Sequence, residues 1–197
     1  MIKHPSTRVL SSFIVAGLLI GLFVKASFAA SPTPPPALGT NQQAFFDQIH
    51  SMCGARFEGE AVFPEDPGDD WRDQLLVAVV ESCSDDEIRI PLRVGADTSR
   101  TWVLTRTVSG LQLKHDHRHA DGSPDEVTQY GGVAVDAGSP LSQSFPADEY
   151  TAKLIPEAST NEWSISFSAD GRELTYYLER HGKPRFKAVL SLQNGGK

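Results

Sequence analysis

The sequence predicts a mainly β protein, an antiparallel meander closing into an up-and-down, lipocalin-like barrel, with one short N-terminal helix. After about residue 55, apolar and polar residues alternate with a period of two, as in half-buried strands. Turn signals separate these runs at short intervals, so consecutive strands are expected to form local hairpins. A sandwich is the alternative. The barrel is favoured because a closed meander removes its strand edges.

Length and charge narrow the class of protein. The chain has 197 residues, of which 40% are hydrophobic and 22% charged, and this composition suits one globular core. The formal charge is -7 with histidine neutral. An acidic chain without a basic run is not expected to bind nucleic acid.

Residues 1–29 have the pattern of a secretory signal peptide. Lys3 and Arg8 give a positive start, a long uncharged and mostly apolar run follows, and the small residues Ser27 and Ala29 precede the expected cleavage site. As a helix, the apolar run is shorter than a hydrocarbon core of about 30 Å, which disfavours an uncleaved anchor. We therefore expect a periplasmic or secreted protein without a stable membrane span after cleavage.

The mature chain is expected to hold a linker and one domain. Residues 30–39 are rich in proline and predict an extended linker, and residues 40–197 then form a single β-rich domain. Export exposes Cys53 and Cys83 to oxidising conditions, so they are expected to form a disulfide. The alternative is two free thiols, one of them a nucleophile. It is disfavoured because no histidine or basic residue adjoins either cysteine.

The elements are expected in the following order. Thr40 or Asn41 caps a helix that extends to about Met52, with Gly54 after it. A second short helix is expected over 146–155. Pro91 lacks a backbone donor, so it is expected at a sheet edge or a bulge. The strands are expected around residues 57–63, 75–80, 88–94, 102–108, 111–119, 127–135, 163–167, 174–178 and 186–190.

A hairpin signal at Ser109-Gly110 joins the fourth and fifth of these strands. A two-residue loop there would pair Val108 with Leu111. It is favoured over a three-residue loop because it places five apolar side chains on one face. This register also places Arg106 opposite Leu113, on the apolar face. The Arg106 side chain then needs a hydrogen-bond partner or access to solvent. The same register places Leu104 opposite His115, Trp102 opposite His117 and Arg100 opposite His119.

Histidines alternate along the second strand of this hairpin. His115, His117 and His119 therefore share one face, which Trp102 and Arg100 join from the neighbouring strand. These five residues are our candidates for ligand binding.

Two of these histidines could instead hold a divalent metal. His115 and His117 are two residues apart on a strand, and Asp121 is a candidate third ligand. Asp136 and His181 are further candidates for that position. Solvated histidines at a strand end and acid–base catalysis remain alternatives.

Familiar catalytic motifs do not occur. The sequence has no nucleophile elbow, phosphate-binding loop, dinucleotide fingerprint or paired-histidine zinc motif. The acidic turn at residues 121–126 lacks the ligand spacing of a helical calcium loop.

Several motifs together suggest a family. The most distinctive is the run Lys-His-Asp-His-Arg-His at residues 114–119. Further matching stretches are Cys83-Ser-Asp-Asp-Glu-Ile-Arg-Ile-Pro91, Ser99-Arg-Thr-Trp102, Tyr130-Gly-Gly132 and Phe145-Pro-Ala-Asp-Glu149. Over most of the mature chain, these motifs resemble a family of uncharacterised secreted proteins of Gram-negative bacteria. The resemblance implies export and carries no activity with it.

The sequence as a whole predicts an exported module that binds a small molecule or a divalent metal. A periplasmic hydrolase or isomerase that uses the histidines is one alternative, and a non-catalytic structural envelope protein is another. A histidine row that lines a cavity would favour binding, whereas histidines in bulk solvent would favour a structural role.

Overall fold

A single antiparallel sheet of eleven strands dominates this computed structural model. The structure describes residue 1 and residues 34–64, 71, 73–134 and 138–194. The expected signal peptide and the start of the expected linker therefore lie outside the described residues, apart from Met1. From residue 34 onward the described chain belongs to one compact unit. Within the described part, no helix is long and apolar enough to cross a membrane.

The helices are α1 (Thr40–Ser51), α2 (Glu149–Leu154) and a single 3₁₀ turn (Pro156–Ala158). The strands are β1 (Arg56–Phe63), β2 (Leu76–Val79), β3 (Ser82–Cys83), β4 (Glu87–Val94), β5 (Asp97–Thr107), β6 (Gly110–His117), β7 (Tyr130–Val133), β8 (Ser142–Pro146), β9 (Asn161–Phe167), β10 (Glu173–Arg180) and β11 (Lys183–Leu192). Of these, β3 and β8 were not expected from the sequence. The strand expected at 127–135 is shorter, and so is the helix expected at 146–155.

The order of the strands confirms the predicted up-and-down barrel. From β1, the sheet continues through β2, β4, β5, β6 and β7 in one direction. In the other direction it continues through β11, β10, β9 and β8. Apart from β3 and the break between β7 and β8, each strand therefore lies beside its neighbours in sequence, and β1 pairs with β11. The short β3 pairs with β4 off this path.

The barrel is nearly closed, and its seam lies between β7 and β8. Here single hydrogen bonds replace a strand ladder. The Asp148 amide donates to the Gly131 carbonyl over 2.9 Å, and the Gly131 amide donates to Thr151 Oγ1 over 2.7 Å. The Asp148 carboxylate accepts from the Thr151 amide at the start of α2. The residues at the start of α2 thus hydrogen-bond β7 and hold the two edges of the barrel together.

Gly132 is expected to be intolerant of any side chain at this seam. A Cβ atom there would lie 1.7 Å from the Pro146 carbonyl oxygen, a backbone atom that cannot move alone. We expect Gly132→Ala to lower the free energy of unfolding by about 2 kcal/mol through overpacking, measured by urea denaturation. Gly39→Ala is the control, because a Cβ at Gly39 meets nothing within 4 Å; as the N-cap of α1, this position is expected to lose less than about 1 kcal/mol. Equal stability of the Gly132→Ala variant and the wild type would contradict this account of the seam.

Helix α1 closes one end of the barrel. Its apolar face buries Phe45, Phe46 and Ile49 in the core, and the Phe45 ring lies 6.1 Å from that of Phe167. The Gln42 side chain accepts a hydrogen bond from the Leu111 amide over 3.0 Å, which fixes the helix to the barrel rim. The half of the interior next to α1 is therefore filled by side chains.

The predicted Cys53–Cys83 disulfide is present, with a Cα–Cα distance of 6.2 Å. It joins the segment after α1 to strand β3. On one side, strand β4 pairs first with β3, at Arg89 and Ser82, and then with β2, at Leu92 and Ala78. Pro91 lies between these two paired stretches. Its missing donor therefore breaks no ladder on that side.

The predicted register of the β5–β6 hairpin is wrong by two residues. Thr107 pairs with Gly110, so the two-residue loop is Val108-Ser109. Val108 is almost fully exposed, and the Thr107 hydroxyl closes the loop by donating to the Gly110 carbonyl over 2.7 Å. Trp102 consequently lies opposite His115, and Arg100 lies opposite His117.

Helix α1 provides the physical reason for this register. Arg106 lies opposite Leu111, where its Nη1 atom donates to Gln43 Oε1 over 2.5 Å. Its guanidinium carbon also lies 4.3 Å from the centre of the Phe46 ring. The partners that Arg106 requires are therefore supplied by helix α1, which lies outside the hairpin. Because the shift is two residues, every side chain stays on its predicted face.

Candidate functional site

A cavity of about 540 Å³ lies inside the barrel, at the end opposite α1. Six aromatic side chains dominate its wall: Trp71, Trp102, Tyr130, Trp163, Tyr176 and Phe186. Aliphatic side chains and Pro64 complete the apolar part, and the polar lining residues are Arg100, His115, Asn161, Arg180 and Arg185. No aspartate or glutamate is among the described lining residues.

The aromatic wall is built by close ring packing across neighbouring and facing strands. The Trp102 and Tyr176 rings stack with centroids 4.6 Å apart, although they come from β5 and β10. His115 stacks on Tyr130 at 4.5 Å and lies 5.2 Å from Trp163. Such contacts add to the energy of apolar burial, so this wall is expected to be rigid.

His115 is buried at the centre of this wall, with both ring nitrogens bonded. Nδ1 lies 3.1 Å from the Tyr130 carbonyl oxygen, which can only accept, so Nδ1 carries the proton. Nε2 lies 2.8 Å from the Tyr176 hydroxyl and must then accept its hydrogen. The geometry fixes one neutral tautomer and directs the Tyr176 proton towards the histidine.

Burial keeps these groups uncharged. Loss of water around His115, assisted by the neighbouring His117 and Lys114 charges, lowers its pKa to about 3. Burial likewise raises the pKa of Tyr130 to about 12 and raises that of Tyr176 well above its ordinary value. At neutral pH the cavity therefore presents a neutral imidazole and two protonated phenols.

The remaining histidines of the row lie outside the cavity lining. His117 is half-buried, and its Nε2 atom lies 3.0 Å from the Tyr130 hydroxyl. His117 therefore hydrogen-bonds a lining residue without lining the cavity itself. Burial lowers the pKa of His117, and the nearby Arg100 charge adds to this effect. His119 is exposed, 3.6 Å from Glu126 and 3.9 Å from Asp125. Of the five predicted ligand-binding residues, Trp102, Arg100 and His115 line the cavity.

The predicted metal ligands are not brought together as one set. Both His115 nitrogens already have protein partners, and Asp121 accepts from the amide and hydroxyl of Ser123 in an exposed turn. Within the described part, the potential ligands that do lie close together are those of His119, Asp125 and Glu126. His181 hydrogen-bonds Thr160 instead, and Asp136 lies outside the described residues.

The sequence analysis missed the residues that face the histidine hairpin. Trp163, Tyr176 and Arg180 come from β9 and β10. The alternation of side chains along a strand could have placed Arg180 on the same face as Tyr176, since the two are four residues apart. Arg185 directly precedes Phe186, so strand alternation predicts that only one of the two faces the interior.

The chain matches no protein-family model and no curated protein. Fold and site alone therefore define the class: an up-and-down β-barrel with an internal, aromatic cavity that is rimmed by arginines.

Proposed function

We propose that this protein is an exported binding module that holds a small organic molecule inside its barrel. The observation that carries the proposal is the cavity of about 540 Å³ with six aromatic side chains on its wall. Ligand pockets typically have volumes of about 300–1,000 Å³, apolar walls and a few placed polar groups. The Cys53–Cys83 disulfide supports the export part of the proposal, since such bonds persist in oxidising compartments.

The chemistry of the lining favours binding over catalysis. Acid–base catalysis needs a group that exchanges protons near the working pH. His115 has a pKa of about 3 and both nitrogens are bonded, and Tyr130, with a pKa of about 12, is a weak nucleophile. The described lining residues include no carboxylate. What the cavity offers is apolar area and fixed hydrogen-bonding groups.

The test is a fluorescence titration with N-phenyl-1-naphthylamine, a neutral aromatic probe that brightens in apolar surroundings. We expect saturable binding with a Kd below about 100 µM, as apolar contact in a preformed cavity should provide. Leu178 lines the cavity, and Leu178→Trp would fill part of it. This variant is expected to weaken binding at least about tenfold, a loss of about 1.4 kcal/mol.

The matched control is Leu75→Trp, because Leu75 is exposed and does not line the cavity. It should leave the affinity for the probe unchanged. Thermal melts of both variants establish that they are folded. An absence of saturable binding to the folded wild type, or equal affinity in both variants, would contradict the proposal.

A further inference from the structure

Three arginines line one cavity in a protein whose formal charge is -7. Arg100 comes from β5, Arg180 from the end of β10 and Arg185 from β11. The described lining residues contain no acidic side chain to balance them. Among the described lining residues, all formal charge is therefore positive, although Arg100 is also paired with Asp97 outside the lining.

A β-bulge places one of these arginines. Leu178 pairs with Phe186 and Glu179 pairs with Pro184, so Arg185 is the extra residue on β11. Consecutive strand residues normally point to opposite faces, yet Arg185 and Phe186 both line the cavity. Bulges are frequent next to functional sites because they redirect a side chain. Here the bulge adds a guanidinium group to an apolar wall.

The three guanidinium groups keep unused donors. Arg185 makes no hydrogen bond or ion pair with any residue that the structure describes. Arg180 uses its Nε atom to donate to Asn161 Oδ1 over 2.7 Å. Arg100 pairs with Asp97 at the surface, and its guanidinium carbon lies 5.3 Å from the centre of the Trp71 ring.

We infer that the cavity selects organic anions: molecules with an aromatic or aliphatic body that carries a carboxylate, sulfonate or phosphate group. This inference rests on the proposed function. The body would lie against Trp102, Trp163 and Tyr176, and the anionic group would face Arg180 and Arg185 at the mouth. Arginine suits this role because its planar donors match the geometry of such groups.

A matched pair of probes tests the charge preference. The anion 8-anilinonaphthalene-1-sulfonate has the ring skeleton of neutral N-phenyl-1-naphthylamine with one added sulfonate. Because hydrogen bonds to charged groups contribute more than neutral ones, we expect the anion to bind at least about tenfold more tightly at low salt. Its advantage should shrink as salt rises, since the mouth is exposed to solvent. Decanoate and decanol, competing for the bound anion, should show the same order.

The variants are Arg180→Gln, Arg185→Gln and the double variant. Arg172→Gln is the matched control, because Arg172 is exposed and outside the cavity lining. The double variant is expected to lose at least about tenfold in affinity for the anion and to keep the affinity for the neutral probe within about twofold. Arg172→Gln should change neither, and Leu178→Trp should weaken both.

The outcomes separate the two proposals. If the neutral probe binds and the anion binds no more tightly, the guanidinium groups are neutralised within the protein. The selectivity for anions is then wrong, while the cavity function stands. The same conclusion follows if the double variant keeps its full preference for the anion. If neither probe binds the folded protein, the proposed function fails and the selectivity fails with it.

Discussion

Replacing Cys53 and Cys83 together by alanine is expected to lower the free energy of unfolding by about 4 kcal/mol. The bond closes a loop with a sequence separation of 30 residues. Without it, the unfolded chain gains the conformational freedom that the crosslink removes. In the native state, the bond also holds the segment after α1 against β3. Urea denaturation of the double variant and of the oxidised wild type measures the difference.

Reductant provides the control for this prediction. The wild type in a strong thiol reductant should approach the stability of the double variant, and the double variant itself should not respond to reductant. A loss below about 1 kcal/mol in the double variant would show that the unfolded chain gains little freedom when the crosslink is absent.

Acidification below about pH 6.5 is expected to destabilise the protein through His115. In the unfolded chain this histidine binds a proton near its ordinary pKa of 6.5, whereas in the folded protein its pKa is about 3. Between these values the unfolded state binds more protons, so stability is complete above about pH 6.5 and falls by about 1.4 kcal/mol per pH unit below it. From about pH 6.5 to about pH 4.5 the expected loss is about 2.3 kcal/mol, because the unfolded histidine is already half protonated at pH 6.5.

This pH window isolates the histidines. The depressed pKa values of Asp97, Asp116 and Asp148 also favour folding, but their contribution is lost only near and below their ordinary value of 3.8. His117 acts in the same direction as His115 because burial lowers its pKa too. Part of the slope should therefore remain when His115 is replaced.

Denaturant unfolding at the two pH values measures the effect. His115→Gln should reduce the slope by more than half, and His50→Gln, on helix α1, serves as the matched control. An NMR titration of the wild type gives a second readout that does not depend on the folding of a variant. Protonation of the His115 ring in the folded protein near pH 6 would show that the ring is not held neutral.

The sequence predicted which face of a strand each side chain occupies better than which residues it contacts. Alternation alone placed Trp102 and His115 on the interior face, and an error of two residues in the hairpin register left that assignment intact. The register itself depended on Arg106, whose partner Gln43 lies on a helix 63 positions earlier. A prediction made from the hairpin residues alone could not include that long-range contact.

The far wall of the cavity shows the same limit. Tyr176 bonds His115 across 61 positions of sequence, and only closure of the barrel brings β10 opposite β6. Periodicity predicts which side of a strand is buried, but not which strands meet across the interior. The bulge at Arg185 inverts even that periodicity, so its side chain would have been placed on the outer face.

The pairing of β1 with β11 has a consequence for how the chain reaches its native state. Phe57 pairs with Leu192, so the first and last strands must meet before the barrel can close. Contacts of such long range slow folding, because a large loop must be ordered before they form. During synthesis, β1 and β10 both expose an unpaired edge until β11 emerges. The nascent protein therefore depends on its final strand, and folding cannot be completed from the N-terminus alone.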